Sequence, residues 1–488
     1  MAHGYLNLLS GLTALVATSA CSTVAYAPRP LDPATSAAQF QARSVQVDGL
    51  KSFAEANGYP VQTWPPAQWG LRELTLTALY FNPGIGTARS RAAVARAELH
   101  SAVQPPSWST RLKPEYHSRS LDSSGPWTLG LELEIPLVAQ SKREARAERS
   151  AFLADAADLD IASAAWKARS DVRDHYLALR ASHDALGLLD AQLAARSEML
   201  ALVEKRLQAG MLSARDVAVE RIARLQLDQA RHQLLATRQR LKGELAGVLG
   251  LPAEMLDSMT LQFEAQAPPV IDLDAGAVRR LALRNRLDVH RKLLEFGAAD
   301  AGVKAAVAAQ NPDITLGPGY VWDQGDNVWS LAVGLTLPST IRAQATIREA
   351  QARRDLAVEE FAATQYAAIG IAVRAIAQYH LAREFVNAAD QALQLQRDQE
   401  ARINRQFESG TADRMQRLTA RIETLAAEAA LNSARDARSQ ALADLEDAVQ
   451  RPLFGDFDVL PDASARRSAD LAVESGGMPS PRTPEAQR

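Results

Sequence analysis

Four short segments of the chain alternate between apolar and polar residues, as a β-strand does when its two faces meet different surroundings. In the clearest segment, Leu129, Leu131 and Leu133 share one face, and Thr128 and Glu132 share the other. The first segment alternates least clearly, because charged residues dominate it. The pattern predicts strands at about 109–118, 127–137, 313–322 and 328–338.

Long stretches with an apolar residue at every seventh position follow the second and the fourth of these segments. In the first stretch the positions are Leu179, Leu186, Leu193, Leu200 and Leu207, and in the second they are Tyr379, Val386, Leu393 and Phe407. A seven-residue repeat predicts helices that pack along a coiled-coil seam. From Pro136 to Gly210, about 70 helical residues would extend roughly 100 Å, which is far longer than a helix of a globular domain.

The same landmarks occur twice along the chain. Trp127 and Trp329 each lead a strand segment that a proline closes nine residues later, and Gly210 and Gly410 each lie 42 residues before a proline. We therefore predict an internal duplication, in which each copy has a short helix, two strands, a very long helix, a glycine turn and a second long helix. The copies are expected at about 74–255 and 278–455, with the short helices at about 84–103 and 282–309.

The strand segments have the composition of membrane strands, because one face is apolar and the other is polar or very small. Four of the seven tryptophans lie at strand ends, where aromatic residues mark a membrane interface. These four are Trp108, Trp127, Trp322 and Trp329. Glu132 and Glu134 are candidate pore-lining residues, with Arg111 and Lys113 available to offset their charge. The alternative is a small soluble sandwich with tryptophan in its core.

Four strands are too few to close a membrane barrel. In lipid, each unpaired N–H or C=O group at an open sheet edge costs several kcal/mol. If the membrane interpretation holds, the strands must therefore be completed by further copies of the chain. The residues of the polar face would then line a pore.

The N-terminus has the features of an export signal. The stretch Leu6–Ala20 is apolar and ends in small residues, which predicts a signal peptide over residues 1–20. Cys21 follows small residues, as in the signals of bacterial lipoproteins, so cleavage before Cys21 and lipidation of its thiol are expected. The alternative is cleavage after Ala27, which would discard Cys21.

The flanking segments and the overall composition exclude several classes of protein. Residues 21–73 are rich in proline and expected to be extended, whereas residues 462–488 are small, polar and expected to be disordered. With 54 Lys+Arg against 57 Asp+Glu, the chain lacks the basic excess of a nucleic-acid binder. One cysteine excludes a disulfide framework and a Cys-based zinc site. Because neither a nucleotide-binding motif nor a catalytic motif occurs, we expect no enzyme, no cofactor and no metal site.

In combination, the export signal, the twofold repeat, the strand pair and the long helix that returns after a glycine turn resemble the TolC-type outer-membrane efflux family. The resemblance covers about 74–455. It implies a mainly α fold with a small β part. Such a chain forms a homotrimer with a twelve-stranded transmembrane β-barrel in the outer membrane of a Gram-negative bacterium, and its coiled-coil helices form a periplasmic α-barrel.

The resemblance also implies a function, which is that of an exit duct in a tripartite efflux system. The duct conducts substrates passively. An inner-membrane transporter, expected to be of the resistance–nodulation–division type, delivers them through a periplasmic adaptor (membrane fusion) protein.

The two glycine turns receive roles from the same resemblance. The residues expected where family members meet the adaptor are Arg206, Leu207, Ala209, Gly210, Met211, Phe407, Ser409, Gly410 and Thr411. Asp216 matches an aspartate with which relatives close the periplasmic end, and Arg215, Asp413 and Arg414 are expected to join this gate. The equivalent step in the second copy reaches Gln416, which is not an acid. The alternative is that the apolar tip residues only end the coiled-coil seam and that Asp216 is simply solvated.

Two other functions agree with parts of the sequence. A periplasmic adaptor also carries a coiled-coil hairpin, but it has one hairpin inside a split β-domain rather than two hairpins that each follow a strand pair. A structural coiled-coil protein without a pore leaves the tryptophan-flanked strands unexplained. The sequence therefore favours a channel.

Overall fold

The structure is a computed structural model, and it describes residues 26–59, 63–118, 126–263, 272–323 and 325–453. The chain divides into two units, Met1–Arg43 and Ser44–Arg488. In the first unit, the described part contains helix α1 (Pro33–Gln41), which begins where the Asp32 carboxylate accepts hydrogen bonds from two backbone N–H groups. The predicted signal peptide, Cys21 and the tail 462–488 lie outside the described residues.

The second unit contains the remaining described elements, in an order that occurs twice. After α2 (Asp48–Ala56), the first repeat consists of α3 (Leu71–Phe81), α4 (Pro83–Val103), β1 (Ser109–Tyr116), β2 (Trp127–Leu137), α5 (Gln140–Gln208) and α6 (Ala214–Leu249). A short helix, α7 (Ala253–Asp257), follows. The second repeat consists of α8 (Ala275–Asn285), α9 (Leu287–Ala308), β3 (Asp313–Asp323), β4 (Asp326–Thr336), α10 (Thr340–Glu408) and α11 (Arg414–Val449).

The two repeats agree closely in length. Helices α5 and α10 each have 69 residues, and α6 and α11 each have 36. At about 1.5 Å per residue, α5 and α10 each extend about 100 Å. The predicted mainly helical, internally duplicated fold with four strands is thereby confirmed.

Two expectations about short elements were wrong. The helix expected at 282–309 is interrupted at Arg286, whose ψ of 122° is extended, so that α8 ends before it and α9 begins after it. The segment 21–73 is not extended throughout, because it contains α1 and α2. Helix α2 forms because Leu50 and Ala54 lie on one of its faces and are buried.

The long helices pack side by side in the order α10, α11, α5, α6. Helix α4 packs on α5, and α9 packs on both α5 and α10. The row therefore has α10 at one end and α6 at the other. By length and composition alone, α10 is apolar enough to cross a membrane, and 11% of its apolar stretch is buried. Core helices pass the same test, so this observation by itself is weak evidence for a membrane span.

Two apolar cores lie where the short helices pack against the long ones. In the first repeat, Trp69 and Leu74 pack against Leu179 and Leu245. In the second repeat, Tyr379 belongs to the equivalent core around α8, α10 and α11. Each fully buried leucine contributes about 1.5–3 kcal/mol, so these cores hold the short helices on the long ones.

A buried ionic cluster joins the two repeats where α5 meets α11. The Arg173 guanidinium donates to Glu446 at 2.9 Å and to Asp447 at 2.7 Å, and Arg169 approaches Glu446 at 3.3 Å. Burial alone would lower the pKa of Arg173, but attraction to Asp447 and Asp174 raises it above its ordinary value. The guanidinium therefore remains charged, and the cluster fixes α11 against α5.

Candidate functional site: the sheet and the two glycine turns

The four strands form one antiparallel sheet in the order β1-β2-β3-β4. Its register places leucines opposite one another on one face, as Leu112 lies opposite Leu131. This face also carries aromatic pairs, with ring centroids 5.1 Å apart for Tyr116 and Trp127 and 4.8 Å apart for Tyr320 and Trp329. The register of the four strands thus brings their predicted apolar positions together on one face of the sheet.

Aromatic residues mark both ends of the apolar face. Trp127 and Trp322 lie at the end of the sheet where the β1–β2 and β3–β4 connections are, and Trp329, opposite Tyr320, lies three residue pairs in from the last pair at that end. Trp108 lies immediately before β1, at the opposite end. Tryptophans at both ends of the strands are the distribution expected if each end lies at a membrane–water interface.

The candidate pore-lining carboxylates lie on the polar face and are paired. Arg111 donates to Glu132 at 3.1 Å and approaches Glu134 at 3.8 Å, and the Ser109 hydroxyl donates to Glu134 at 3.0 Å. Lys113 lies opposite Gly130 in the register. One arginine therefore offsets part of the negative charge that two glutamates would otherwise present.

A polar chain on the same face was missed by the sequence analysis. The Thr128 hydroxyl donates to Asp323 at 2.5 Å and lies 3.0 Å from the His117 ring nitrogen. The chain links β2, β3 and the residue that follows β1 at one end of the sheet. The alternation placed Thr128 on the polar face, but Asp323 lies just outside the predicted third strand, so the sequence did not indicate the contact.

Both glycine turns end a long helix with the same hydrogen bonds. Gly210 has φ +71° and Gly410 has φ +76°, the left-handed conformation that glycine adopts most easily. The next residue, Met211 in one turn and Thr411 in the other, donates its N–H to the carbonyl five residues earlier, at 2.8 Å in both turns. This cap satisfies carbonyls that the helix end would leave unpaired and reverses the chain.

The returning helices begin with matching caps that use different residues. In the first turn, the Asp216 carboxylate accepts hydrogen bonds from the Ser213 N–H at 2.9 Å and from its hydroxyl at 2.7 Å. These bonds lower the pKa of Asp216. In the second turn, Asp413 caps α11 by accepting from the Gln416 N–H at 2.8 Å. Asp413 is thus the residue before α11, whereas Asp216 lies in the first turn of α6.

Ion pairs connect the two turns. The Arg206 guanidinium donates to Asp413 at 2.8 Å, and Arg414 donates to Glu198 at 2.6 Å. The hydrogen bond from Gln416, together with that from Arg206, lowers the pKa of Asp413. The structure thus brings three predicted residues, Arg206, Asp413 and Arg414, into contacts between the repeats. Glu198 was missed, because nothing in the sequence places α5 beside α11.

The remaining gate candidates do not bridge the repeats in the part of the chain that the structure describes. The hydrogen bonds given for Asp216 stay within its own turn, to Ser213. Arg215 is exposed in the first turn of α6. Its charge contributes to the lowered pKa of Asp216.

The predicted adaptor-docking residues differ in exposure. Met211 is largely exposed, whereas Leu207 packs against a small core of Met199, Val203 and Val217 between the turns. The Arg417 guanidinium lies 4.4 Å from the centre of the Phe407 ring. Ala209 and Ser409 are the helix caps, and both glycines are exposed. The tips of both turns are therefore exposed, whereas Leu207 and Phe407 beside them are partly buried.

Among the described residues, no group of three or more His, Cys, Asp or Glu side chains is arranged to hold a metal ion. The lipidation candidate Cys21 lies outside the described residues.

The sequence profile of the outer membrane efflux protein family matches residues 85–249 and 278–449, one segment in each repeat. The chain therefore belongs to this family, whose members are outer-membrane channels. The predicted TolC-type resemblance and the outer-membrane localisation, with a periplasmic portion, are confirmed. A comparison with curated protein sequences finds no match.

Solved structures share the fold at low sequence identity. The outer membrane protein VceC from Vibrio cholerae is 20% identical, with a TM-score of 0.65, covering 80% of this chain and 100% of VceC. A membrane protein from Pseudomonas aeruginosa is 21% identical, with a TM-score of 0.66, covering 90% of this chain and 99% of its own. The outer membrane channel CmeC from Campylobacter jejuni is 15% identical, with a TM-score of 0.65, covering 92% of this chain and 97% of CmeC.

Proposed function

We propose that three copies of the chain form the outer-membrane exit duct of a tripartite export system. The observation that carries the proposal is the four-stranded sheet, which is apolar and aromatic on one face and charged or small on the other. In the described part of the chain, its outer strands β1 and β4 each have an unpaired edge. Such edges are costly in lipid. Pairing β4 of each copy with β1 of the next would remove them and close a twelve-stranded barrel.

The helix row supports the same closure. Both of its end helices expose large apolar side chains: Val219, Ile222 and Leu225 on α6, and Leu381, Phe385 and Leu395 on α10. Apolar faces of this extent are usually covered in the assembled protein. A ring of three rows would cover them and continue the barrel as a helical tube.

Transport through the duct is passive in this proposal. Energy comes from an inner-membrane transporter of the resistance–nodulation–division type, and a periplasmic adaptor docks on the glycine turns. The exposed Met211 and the backbone groups around Gly210 and Gly410 are suited to a helical hairpin. The MtrE outer membrane channel from Neisseria gonorrhoeae, which has a similar fold, has been solved in an open state, and this supports a duct that can open.

The ion pairs between the turns supply the resting closure in this proposal. Arg206 with Asp413 and Arg414 with Glu198 hold α11 against α5 at the end of the tube. Because these pairs are partly exposed, each contributes little to stability. Release of such weak links would let the end of the tube widen without unfolding a helix.

Two measurements test the proposal. Light scattering of the full-length protein in detergent should give the mass of three chains, and a single-chain mass would contradict the trimer. A photo-crosslinking amino acid at Met211 in living cells should capture a periplasmic protein with a coiled-coil hairpin. The same probe at Leu331, on the apolar face of the sheet, is the control that should capture no periplasmic protein.

Lipidation of Cys21 is proposed on the sequence alone. Growth with a labelled fatty acid should label the wild-type protein, and Cys21→Ala should abolish the label. Label that remains in the variant would contradict acylation at this residue.

A further inference from the structure

The outward face of helix α8 carries three exposed arginines, Arg279, Arg280 and Arg284. Val278 and Ala282, on the opposite side of the same helix, are buried against α10 and α11. None of the three guanidinium groups makes an ion pair or a hydrogen bond with a residue that the structure describes. The three arginines are called here the α8 basic face.

The packing of α8 does not require these arginines, as its counterpart in the first repeat shows. Helix α3 begins at Leu71 and α8 at Ala275, an offset of 204 residues, and both helices have 11 residues. Leu74 and Val278, the fourth residue of each helix, are both fully buried. The two helices therefore present the same side to the long helices, and their outward faces can be compared position by position.

In the first repeat, the positions equivalent to the α8 basic face are uncharged. They are Thr75, Leu76 and Tyr80. Thr75 and Leu76 are each 2% exposed, and α2 lies against Tyr80, because the ring centroids of Phe53 and Tyr80 are 5.6 Å apart. In the second repeat, no described element covers the arginines, which are all exposed. An exposed, charged face thus stands where the first repeat has a largely covered, uncharged one, and such a face is suited to a partner outside the chain.

The α8 basic face lies midway along the long helices of the periplasmic portion. Helix α8 packs against α10 at Ala372 and Tyr379, and α10 runs from Thr340, close to the sheet, to Glu408, next to a glycine turn. At about 1.5 Å per residue, Ala372 is about 50 Å from each end of α10. Electrostatic attraction is screened within about 8–10 Å at physiological salt. The face is therefore out of reach both of the lipid headgroups and of the glycine turns.

We propose that the α8 basic face binds the free carboxylates of peptidoglycan, the periplasmic polymer of glycan strands and short peptides. A guanidinium group pairs with a carboxylate through two parallel hydrogen bonds, so arginine suits such a ligand better than lysine does. The inference goes beyond the proposed duct and does not depend on conduction. It adds an anchorage in the cell wall, about 50 Å from the membrane end of α10.

The form of the face fits a polymer rather than a small anion. The arginines stand on an exposed helix surface, where each ion pair is weak because water and salt screen it. A polymer with many carboxylates can engage three arginines at once, and the second and third contacts then form at a high effective concentration. The chain as a whole has a net charge of −3, so its attraction to a polyanion must come from a local face of this kind.

Sedimentation with purified cell-wall sacculi tests the inference. The full-length protein in detergent should pellet with sacculi at low salt and be released as the salt concentration is raised. The variant Arg279→Gln, Arg280→Gln, Arg284→Gln should lower the bound fraction by about fivefold or more. Sacculi whose carboxylates have been amidated should retain no more wild-type protein than untreated sacculi retain of the variant. This last readout changes the polymer instead of the protein, so a misfolded variant cannot imitate it.

A matched control removes the same charge elsewhere on the surface. Arg89, Arg91 and Arg348 are also exposed and make no ion pair with a described residue. The variant Arg89→Gln, Arg91→Gln, Arg348→Gln should bind sacculi within about twofold of the wild type. Equal losses in the two triple variants, or undiminished binding by the α8 variant, would overturn the inference, because the attraction would then not come from α8.

Two other occupants of the face would give different results. The chain's own segment 454–462 contains Asp456, Asp458 and Asp462. If this segment covered the arginines, the wild type would not bind sacculi, whereas the variant Asp456→Asn, Asp458→Asn, Asp462→Asn would. If an acidic protein occupied the face instead, neither would bind. Either result would overturn the inference.

Conductance separates this inference from the proposed duct. The α8 variant should conduct ions in a planar bilayer as the wild type does, because the α8 basic face is not part of the pore. A wild type that binds sacculi but conducts no ions would contradict the duct and support the anchorage. A wild type that conducts ions but does not bind sacculi would overturn the anchorage and leave the duct standing.

Discussion

Arg173 and Glu446 form an ion pair of 2.9 Å that is closed to solvent and joins the first repeat to the second. The two residues are 273 positions apart in the chain. Glu446 also accepts a hydrogen bond from the Leu453 N–H at 2.7 Å, so the pair ties together two helices and the segment after α11. It therefore acts as a fixed point between the repeats, whereas the pairs at the glycine turns are partly exposed.

Removing the buried carboxylate should be costly. Glu446→Gln removes a negative charge that Arg173 and Arg169 both face, and it should lower the free energy of unfolding by about 3–5 kcal/mol. Denaturant unfolding followed by circular dichroism in detergent measures this. The control is Glu349→Gln, which breaks the exposed Arg353–Glu349 pair and should cost less than about 0.5 kcal/mol. If both variants lost the same free energy of unfolding, the buried pair would not be what holds the two repeats together.

The glycine turns should not tolerate a side chain. Gly410→Ala forces a residue with a Cβ into φ +76° and should destabilise the protein by about 1–2 kcal/mol. Gly187→Ala, in the interior of α5 with open space around its Cβ, should instead stabilise it by about 0.5–1 kcal/mol. Thermal unfolding of the two variants compares them directly. A neutral Gly410→Ala would show that the left-handed conformation is not required.

The two capping acids should differ in their effect on the closed duct. Asp413→Asn keeps a good helix cap but removes the charge that Arg206 binds, so the resting single-channel conductance should rise severalfold. Asp216→Asn makes the same chemical change in a turn whose described hydrogen bonds stay local, and its conductance should remain near the wild-type value. A larger rise for Asp216→Asn would place the gate on the first turn instead.

The resting closure should depend on pH in one direction. The pKa of Asp413 is lowered, so its ionised form is favoured by the fold, and the link to Arg206 persists until the pH falls below the usual carboxylate range of about 4. Resting conductance should therefore be flat from neutral pH down to about 4 and rise below it. The pKa of Asp216 is lowered as well, and Asp413→Asn isolates the contribution of Asp413. A rise in conductance well above pH 4 would contradict this assignment.

The sequence predicted the elements better than their contacts. Periodicity located the strands and the long helices, because Leu129–Leu133 and the heptad from Leu179 to Leu207 each repeat with the period of their own secondary structure. The break at Arg286 was missed because no proline or glycine marks it. The contacts at the break are distant in sequence, because the Arg286 guanidinium donates to the Ala448 carbonyl and the Leu287 N–H donates to the Gln450 side chain.

The candidate site was predicted in position but not in pairing. Local sequence placed Asp216 and Asp413 beside the glycine turns, yet it could not show that only Asp413 has an Arg206 partner in the described structure. Partners such as Glu198 and Glu446 become visible only when α11 is placed beside α5. Glu198 is 216 residues from Arg414, and Glu446 is 273 residues from Arg173. At such separations the periodicity of a single helix does not indicate a contact.

The most direct test of the central claim is single-channel recording of the full-length protein in a planar lipid bilayer. If copies of the chain close a sheet into a barrel and continue it as a tube, discrete conductance steps should appear. Trimers that insert into the bilayer without conducting any ions, even when Asp413→Asn has removed the link at the turns, would contradict the account.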